Sequence, residues 1–399
     1  MRRAYFLNFI FWALPISDFF SIFVPMQFRD VIGQKEIKKR LIDGVNENRI
    51  SHALLFSGPS GVGKLAMAIA YSQYINCKNR GEEDSCGECP SCKKYAKLIH
   101  PDLHFVFPVV KSKKFKDPVS DNYIDKWRAQ VLSNPYFNID SWNAQLDVEN
   151  SQAQIFVDES TEIIRKLSLK TFEAEYKVMI VWMAERMNAQ CANKLLKMIE
   201  EPPPKTLFVL ITEEEERLLA TIKSRTQLVK FIGIDNESMA KAIEKNPLAQ
   251  GKNSKGLAHL ANGSYITALD LLNPNDQAIL YNEKFTGLMR SSYGRAWESL
   301  FLLADELAGW GREQQKSFLL YCMKMIRENF IMNFKQNDLV FLNELDRKFS
   351  EKFSPFINER NVYQFTKEFQ DAFRDISQNG NSRIIFLDLT LKVVKLIKQ

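Results

Sequence analysis

Four apolar residues, Ala53-Leu54-Leu55-Phe56, run directly into Ser57-Gly58-Pro59-Ser60-Gly61-Val62-Gly63-Lys64-Leu65, and a helical pattern continues over Ala66 to Ile75. A buried strand, a glycine loop and a helix in that order form the setting in which G-x-x-x-x-G-K wraps a phosphate. Gly58, Gly61 and Gly63 let consecutive backbone N–H groups curl around an anion, and the helix N-terminus adds partial positive charge. Lys64 can reach the outer phosphates. The next position normally carries Ser or Thr, whose hydroxyl holds Mg²⁺. Here it is Leu65, which offers a hard cation no oxygen. The loop is built to hold a phosphate and poorly built to cleave one; the plainer alternative is a glycine turn before a core helix.

The rest of the first half repeats this alternation. His100 to Phe107, Lys177 to Trp182, Thr206 to Thr212 and Leu228 to Ile232 read as strands. Helical patterns cover Lys35 to Asn46, Glu159 to Ser168, Ala189 to Glu200 and Glu214 to Lys223. Continuous apolar strands alternating with helices predict a parallel sheet covered on both faces. At 399 residues the chain has room for roughly two or three domains. Residues 26–232 read as an α/β P-loop domain, 233–275 as a small helical unit and 276–399 as an all-α domain. The final helix, from Ile384 onward, is apolar around most of its circumference, so it must be buried in its own bundle or against another subunit. The stretch 111–154 is polar, opens with Lys111, Lys113, Lys114 and Lys116, and reads as an insertion.

The first 25 residues differ from the rest of the chain. Arg2-Arg3 and an apolar run imitate a signal peptide, but Asn8, Pro15 and Asp18 interrupt it, and it lacks a small-x-small site. It is also too interrupted to read firmly as a membrane span, and a real anchor stays as the alternative to an over-extended start. We expect a non-native extension, with Met26 the working start, and a cytoplasmic protein with no membrane partner. The net charge of +6, over 54 basic and 48 acidic residues, favours an acidic partner only weakly.

Cys77, Cys86, Cys89 and Cys92 have the spacing C-x8-C-x2-C-x2-C. Four thiolates fill a tetrahedral Zn²⁺ shell and leave no open position for water, so the expected metal is structural. Free surface thiols are the plainer alternative. Cys191 and Cys322 lie alone in helical patterns and read as core residues.

A P-loop ATPase also needs acids at the end of a second strand to hold Mg²⁺ and polarise water. After Val178 to Trp182 stand Met183 and Ala184, with Glu185 displaced. Thr212 ends the next strand, where a polar residue can face the γ-phosphate. Ser224-Arg225-Thr226 closes the helical pattern that begins at Glu214. An exposed Arg225 can counter charge at a neighbouring subunit's nucleotide; from spacing alone, a solvated arginine is the plainer reading.

Several of these segments together resemble a known family. Phe28-Arg29-Asp30-Val31-Ile32-Gly33-Gln34, and Arg49-Ile50-Ser51-His52-Ala53 running into the loop, look like the opening of bacterial clamp-loader subunits. The four cysteines after the loop's helix are similar to theirs. So are Asn193-Lys194-Leu195-Leu196-Lys197-Met198-Ile199-Glu200-Glu201-Pro202-Pro203 and the spacing to Ser224-Arg225-Thr226. The family is the AAA+ clamp loader of DNA polymerase III, with gamma/tau and delta prime subunits, and the resemblance is specific over 26–232. It implies an AAA+ domain, a helical lid (233–275) and a collar that oligomerises (276–399). Motor subunits of the family keep the Mg²⁺ hydroxyl, the Asp-Glu pair and a lid arginine after Gly-Ser. Here those positions read Leu65, Met183-Ala184 and Ile266 after Gly263-Ser264, while Arg225 persists.

That pattern resembles delta prime. It implies weak or absent ATP binding at Gly58, Gly61, Gly63, Lys64 and Thr212, and an arginine finger, Arg225, acting in trans. It also implies gamma/tau and delta as partners in a hetero-pentamer that loads a sliding clamp onto primer–template DNA. Two alternatives stay open at this point: a gamma/tau-like active ATPase, and a zinc-containing AAA+ DNA-binding regulator.

Overall fold

A computed structural model describes residues 27–112, 114–146, 153–272, 276–334, 340 and 342–398. The expectation about residues 1–25 and Met26 lies outside this range, as does Lys113.

The first helix, α1 (Lys35–Asn46), precedes β1 (Ala53–Ser57), whose last residue enters the glycine loop; α2 (Lys64–Ile75) starts at its lysine. A short α3 (Pro90–Tyr95), which carries Cys92, closes the cysteine segment and leads to β2 (Leu103–Val106). Next come α4 (Ile124–Ser133), α5 (Ile139–Gln145), α6 (Val157–Ser168), β3 (Lys177–Trp182), α7 (Ala189–Glu200), β4 (Thr206–Thr212), α8 (Ala220–Lys223) and β5 (Gln227–Lys230). The five strands form one parallel sheet in the order β2-β3-β4-β1-β5. Their apolar residues alternate between two cores. Leu54, Phe56, Val178, Ile180, Val209 and Ile211 join one, with α1, α2, α4 and α5; Leu55, Met179, Val181, Phe208 and Leu210 join the other, with α6, α7 and α8. Every residue of α2 is buried, so the helix that carries Lys64 is held on all sides.

Several segments differ from the sequence reading: the strand expected over Leu228 to Ile232 runs Gln227–Lys230 and leaves Ile232 outside it, 74% exposed, and the strand expected over His100 to Phe107 is confined to Leu103–Val106. The expected helix from Glu214 to Lys223 is a 3₁₀ turn at Glu215–Arg217 and then the single turn of α8. The polar 111–154 stretch carries α4 and α5, each pinned by one fully buried tryptophan. Trp127 stacks on Phe107 with ring centroids 4.3 Å apart, and the Trp142 Nε1–H donates to the carbonyl of Pro108 at 2.8 Å. One large ring anchors a short helix without leaving a 3.6-residue pattern, which is why periodicity missed both.

Beyond the sheet lie α9 (Asn236–Glu244), α10 (Ser254–Leu260) and α11 (Tyr265–Leu272), whose Met239, Ile243, Ala258 and Ala268 share the core of α2. A separate core joins α12 (Asp276–Gly294), α13 (Trp297–Gly309), α14 (Arg312–Met332), α15 (Glu344–Phe353), α16 (Val362–Ser377) and α17 (Ser382–Leu396). In α17, Phe386, Leu389, Val393 and Leu396 are buried in that bundle, whereas Ile384 stays 66% exposed. Cys191 and Cys322 are fully buried in their respective cores. Among the described residues, no helix is long and apolar enough to cross a membrane.

Candidate functional site

Gly61 (φ +78°) and Gly63 (φ +90°) occupy the left-handed region that the loop's curl requires. Neither tolerates a side chain. A Cβ on Gly61 would lie 2.2 Å from Ser264 Oγ, and one on Gly63 would lie 3.0 Å from the Tyr136 ring. The start of α11 and the segment after α4 therefore rest directly on the loop. The Tyr265 N–H also donates to the Gly61 carbonyl at 2.9 Å. The buried Lys64 ammonium donates to the carbonyls of Gly58 (2.6 Å) and Pro59 (2.5 Å) and lies 3.8 Å from Glu213 Oε1. Burial lowers its pKa; Glu213 and Glu185 pull it back up. Leu65 is buried among the apolar residues of the core, so its side chain is packing material.

Parallel pairing sets the ends of three strands beside this loop. Ser57 is level with Thr212, and Trp182 with Ile211. After Trp182 the chain turns sharply at Met183 (φ +58°) through a 3₁₀ turn over Ala184–Arg186. That turn carries the Glu185 carboxylate back to the strand ends, where it accepts from the Glu213 N–H at 3.1 Å, beside the Thr212 side chain. Its other oxygen, Oε2, is buried without a hydrogen-bond partner, and burial raises the carboxyl's pKa above the ordinary range. Sequence reasoning set Glu185 aside as displaced and did not consider Glu213. The missing signal was a non-glycine residue in the left-handed conformation, which sequence rarely announces.

The four cysteines converge beyond the other end of α2. Their Sγ atoms all lie within 4.8 Å of one another, with Cys77–Cys86 at 3.5 Å and Cys86–Cys92 at 3.9 Å. A tetrahedron built on a metal–sulfur bond of about 2.3 Å has edges of about 3.8 Å, so the four thiols fit one metal ion. Backbone N–H groups of Cys86, Cys89 and Cys92 point at Cys77, Cys86 and Cys89 sulfurs (3.3, 3.3 and 3.5 Å), which stabilises negative charge there. The segment is tied to residues 27–29: Asp84 accepts the Phe28 and Arg29 N–H groups at 3.0 Å, and Gln27 donates to the Ser85 carbonyl.

Arg225 lies elsewhere. It precedes β5, whose Gln227 is level with Leu54 near the start of β1, whereas the loop extends from the end of β1. The two features thus occupy opposite ends of one sheet. The arginine is partly exposed and ion-paired with Glu200 of α7.

The profile described as DNA polymerase III, delta subunit, matches residues 33–235. This chain belongs to the DNA polymerase III clamp-loader family. The delta prime subunit of Bacillus subtilis is 29% identical over 282 residues, which is 70% of this chain and 71% of that protein. The tau subunit of the same organism is 28% identical over 268 residues, 66% of this chain and 39% of the relative. The gamma subunit of Buchnera aphidicola is 27% identical over 62% of this chain and 58% of its own length. The chain thus spans about two-fifths of the Bacillus tau relative, and identity does not separate the two branches. Among solved structures, a DNA polymerase III gamma-subunit-related protein of Thermotoga maritima aligns over 90% of this chain and 99% of its own, at 16% identity and TM-score 0.37. The RuvB branch-migration motor of the same organism aligns over 94% and 89%, at 12% identity and TM-score 0.40.

Proposed function

We propose that this chain is the delta prime-like, non-hydrolysing subunit of its clamp loader. In this reading it works in the cytoplasm with gamma/tau and delta subunits to place a sliding clamp on primed DNA. The observation that carries it is the contrast at one site: Lys64 is held over a phosphate loop, while the buried Leu65 supplies no hydroxyl for Mg²⁺. ATP binds there weakly or not at all. Residues 26–232 form the AAA+ domain, 233–275 its lid and 276–399 the collar. Arg225, at the far end of the sheet and partly exposed, serves the neighbouring subunit's nucleotide in trans. Zn²⁺ on the four cysteines is structural, since four sulfurs leave no open position.

One observation favours a second reading, a gamma/tau-like ATPase. Glu185 stands at the strand ends beside Thr212, where a motor needs a carboxylate. Turnover decides between them. The purified chain is expected to show no DNA-stimulated ATPase above background. Substantial hydrolysis abolished by Lys64→Ala would establish the motor instead. In the reconstituted complex, Arg225→Ala is expected to leave assembly intact and to cut hydrolysis at the adjoining site by about 10³-fold or more.

A further inference from the structure

The Arg225 guanidinium is already engaged within this chain. Its Nε pairs with Glu200 Oε1, and its Nη1 donates to the Thr221 carbonyl (2.9 Å) and the Ser224 hydroxyl (3.3 Å). Both members of the ion pair are at the surface, their side chains 36% and 41% exposed, within reach of a second macromolecule. Their backbones are not free. Ile199, beside Glu200, and Ile222, three residues before Arg225, are buried in the same core. The Thr226 hydroxyl donates to the carbonyls of Ile222 (3.0 Å) and Lys223 (3.3 Å), which fastens the end of α8. Only the two side chains can rearrange. Glu200 is the last residue of α7, at the negative end of that helix's dipole, so its own helix does not favour its charge and Arg225 compensates it.

Resting on the finger reading above, we propose that Glu200 is a positioning residue for Arg225, a resident counter-ion that an incoming phosphate must displace. A guanidinium presents the same planar fork of donors to a carboxylate and to a phosphate. The two acceptors therefore compete, and the finger swings from Glu200 to the neighbour's nucleotide only by breaking this pair. Glu200 sets how easily the finger is released. An exposed pair of this kind shifts an equilibrium by no more than about fivefold.

The test uses the clamp-loader complex reconstituted around the full chain, with ATP as the probe. Glu200→Gln keeps the shape of the side chain and removes its charge. It is expected to raise kcat/KM for ATP hydrolysis by about two- to fivefold, with the gain shrinking at high salt. Glu201→Gln, the exposed neighbour, is expected to behave as wild type, and the gain should vanish in the Arg225→Ala background. If Arg225→Ala lowers hydrolysis but Glu200→Gln leaves it unchanged or lower, this proposal is overturned and the finger reading stands. A gain that persists without Arg225 also overturns it. If Arg225→Ala has no effect, the finger reading falls and takes this proposal with it.

Discussion

The two ends of α2 carry two sites of opposite completeness. At its start, Lys64 has a fully shaped loop above it, yet the neighbouring residue is a buried leucine. Just past its end, Cys77 joins three other thiols in a cluster whose geometry accommodates an ion. Both sites draw their precision from the same fully buried helix. The difference is in donor chemistry. A soft metal needs only four sulfurs brought together, whereas phosphoryl transfer needs oxygen ligands, a water and a leaving group all placed at once. Leu65 supplies no such oxygen and is core packing, while the start of α11 packs on the loop.

The largest effect is expected at the thiol end. Cys86→Ser with Cys89→Ser should abolish stoichiometric metal binding, read by elemental analysis of the purified chain, and accelerate amide exchange over 77–92. Structural zinc contributes about 10 kcal/mol or more of binding free energy in small modules, so this segment should loosen while the sheet persists. Retention of one ion per chain in the double variant would break the comparison.

A smaller effect is expected at the cradle. Gly61→Ala places a Cβ where Ser264 Oγ already sits and forces an L-residue to φ +78°. It should destabilise the chain by about 1–3 kcal/mol in urea unfolding. Adding Ser264→Ala, which removes that oxygen, should recover part of the loss. An unchanged midpoint for Gly61→Ala would mean that the start of α11 does not rest on the loop in solution.

The smallest effect concerns pH. Glu185 has its carboxyl pKa raised by burial, so the folded state binds its proton more tightly than the unfolded chain does. Its favourable contribution is complete below the ordinary carboxylate value near 4.5 and is lost as pH rises through the raised value. Glu185→Gln is therefore expected to gain stability relative to wild type as pH rises above the ordinary carboxylate value, measured by urea unfolding at each pH. A flat difference would show that Lys64 and the Glu213 N–H fully offset the burial of this charge.

Much of the α/β half was legible because its signals are local. The boundaries of α1 and α7, the continuous apolar strands and the loop between β1 and α2 all arise from short-range pattern and turn chemistry. The tryptophans of α4 and α5 were not legible as anchors, since each finds its partners across the sheet: Trp127 touches Phe105, Phe107 and Trp182. Glu185 was misjudged for a similar reason. Counting along the strand places it too far from the cradle, and only the turn at Met183 brings it back.

By itself the sequence determined which chemistries the chain can hold: four thiols at ligand spacing, a glycine loop and lysine followed by Leu65 in place of a hydroxyl, and an arginine in Ser224-Arg225-Thr226. These depend on residue identity and on contacts within a few positions. Tertiary structure alone decided which of these groups meet. Parallel register put Thr212 beside the loop and Arg225 at the opposite end of the sheet, and core packing of α7 against α8 joined Glu200 to an arginine 25 positions later. Such pairings are set by how buried apolar surfaces fit together over the whole domain, and that fit is a property of the assembled cores rather than of any one segment.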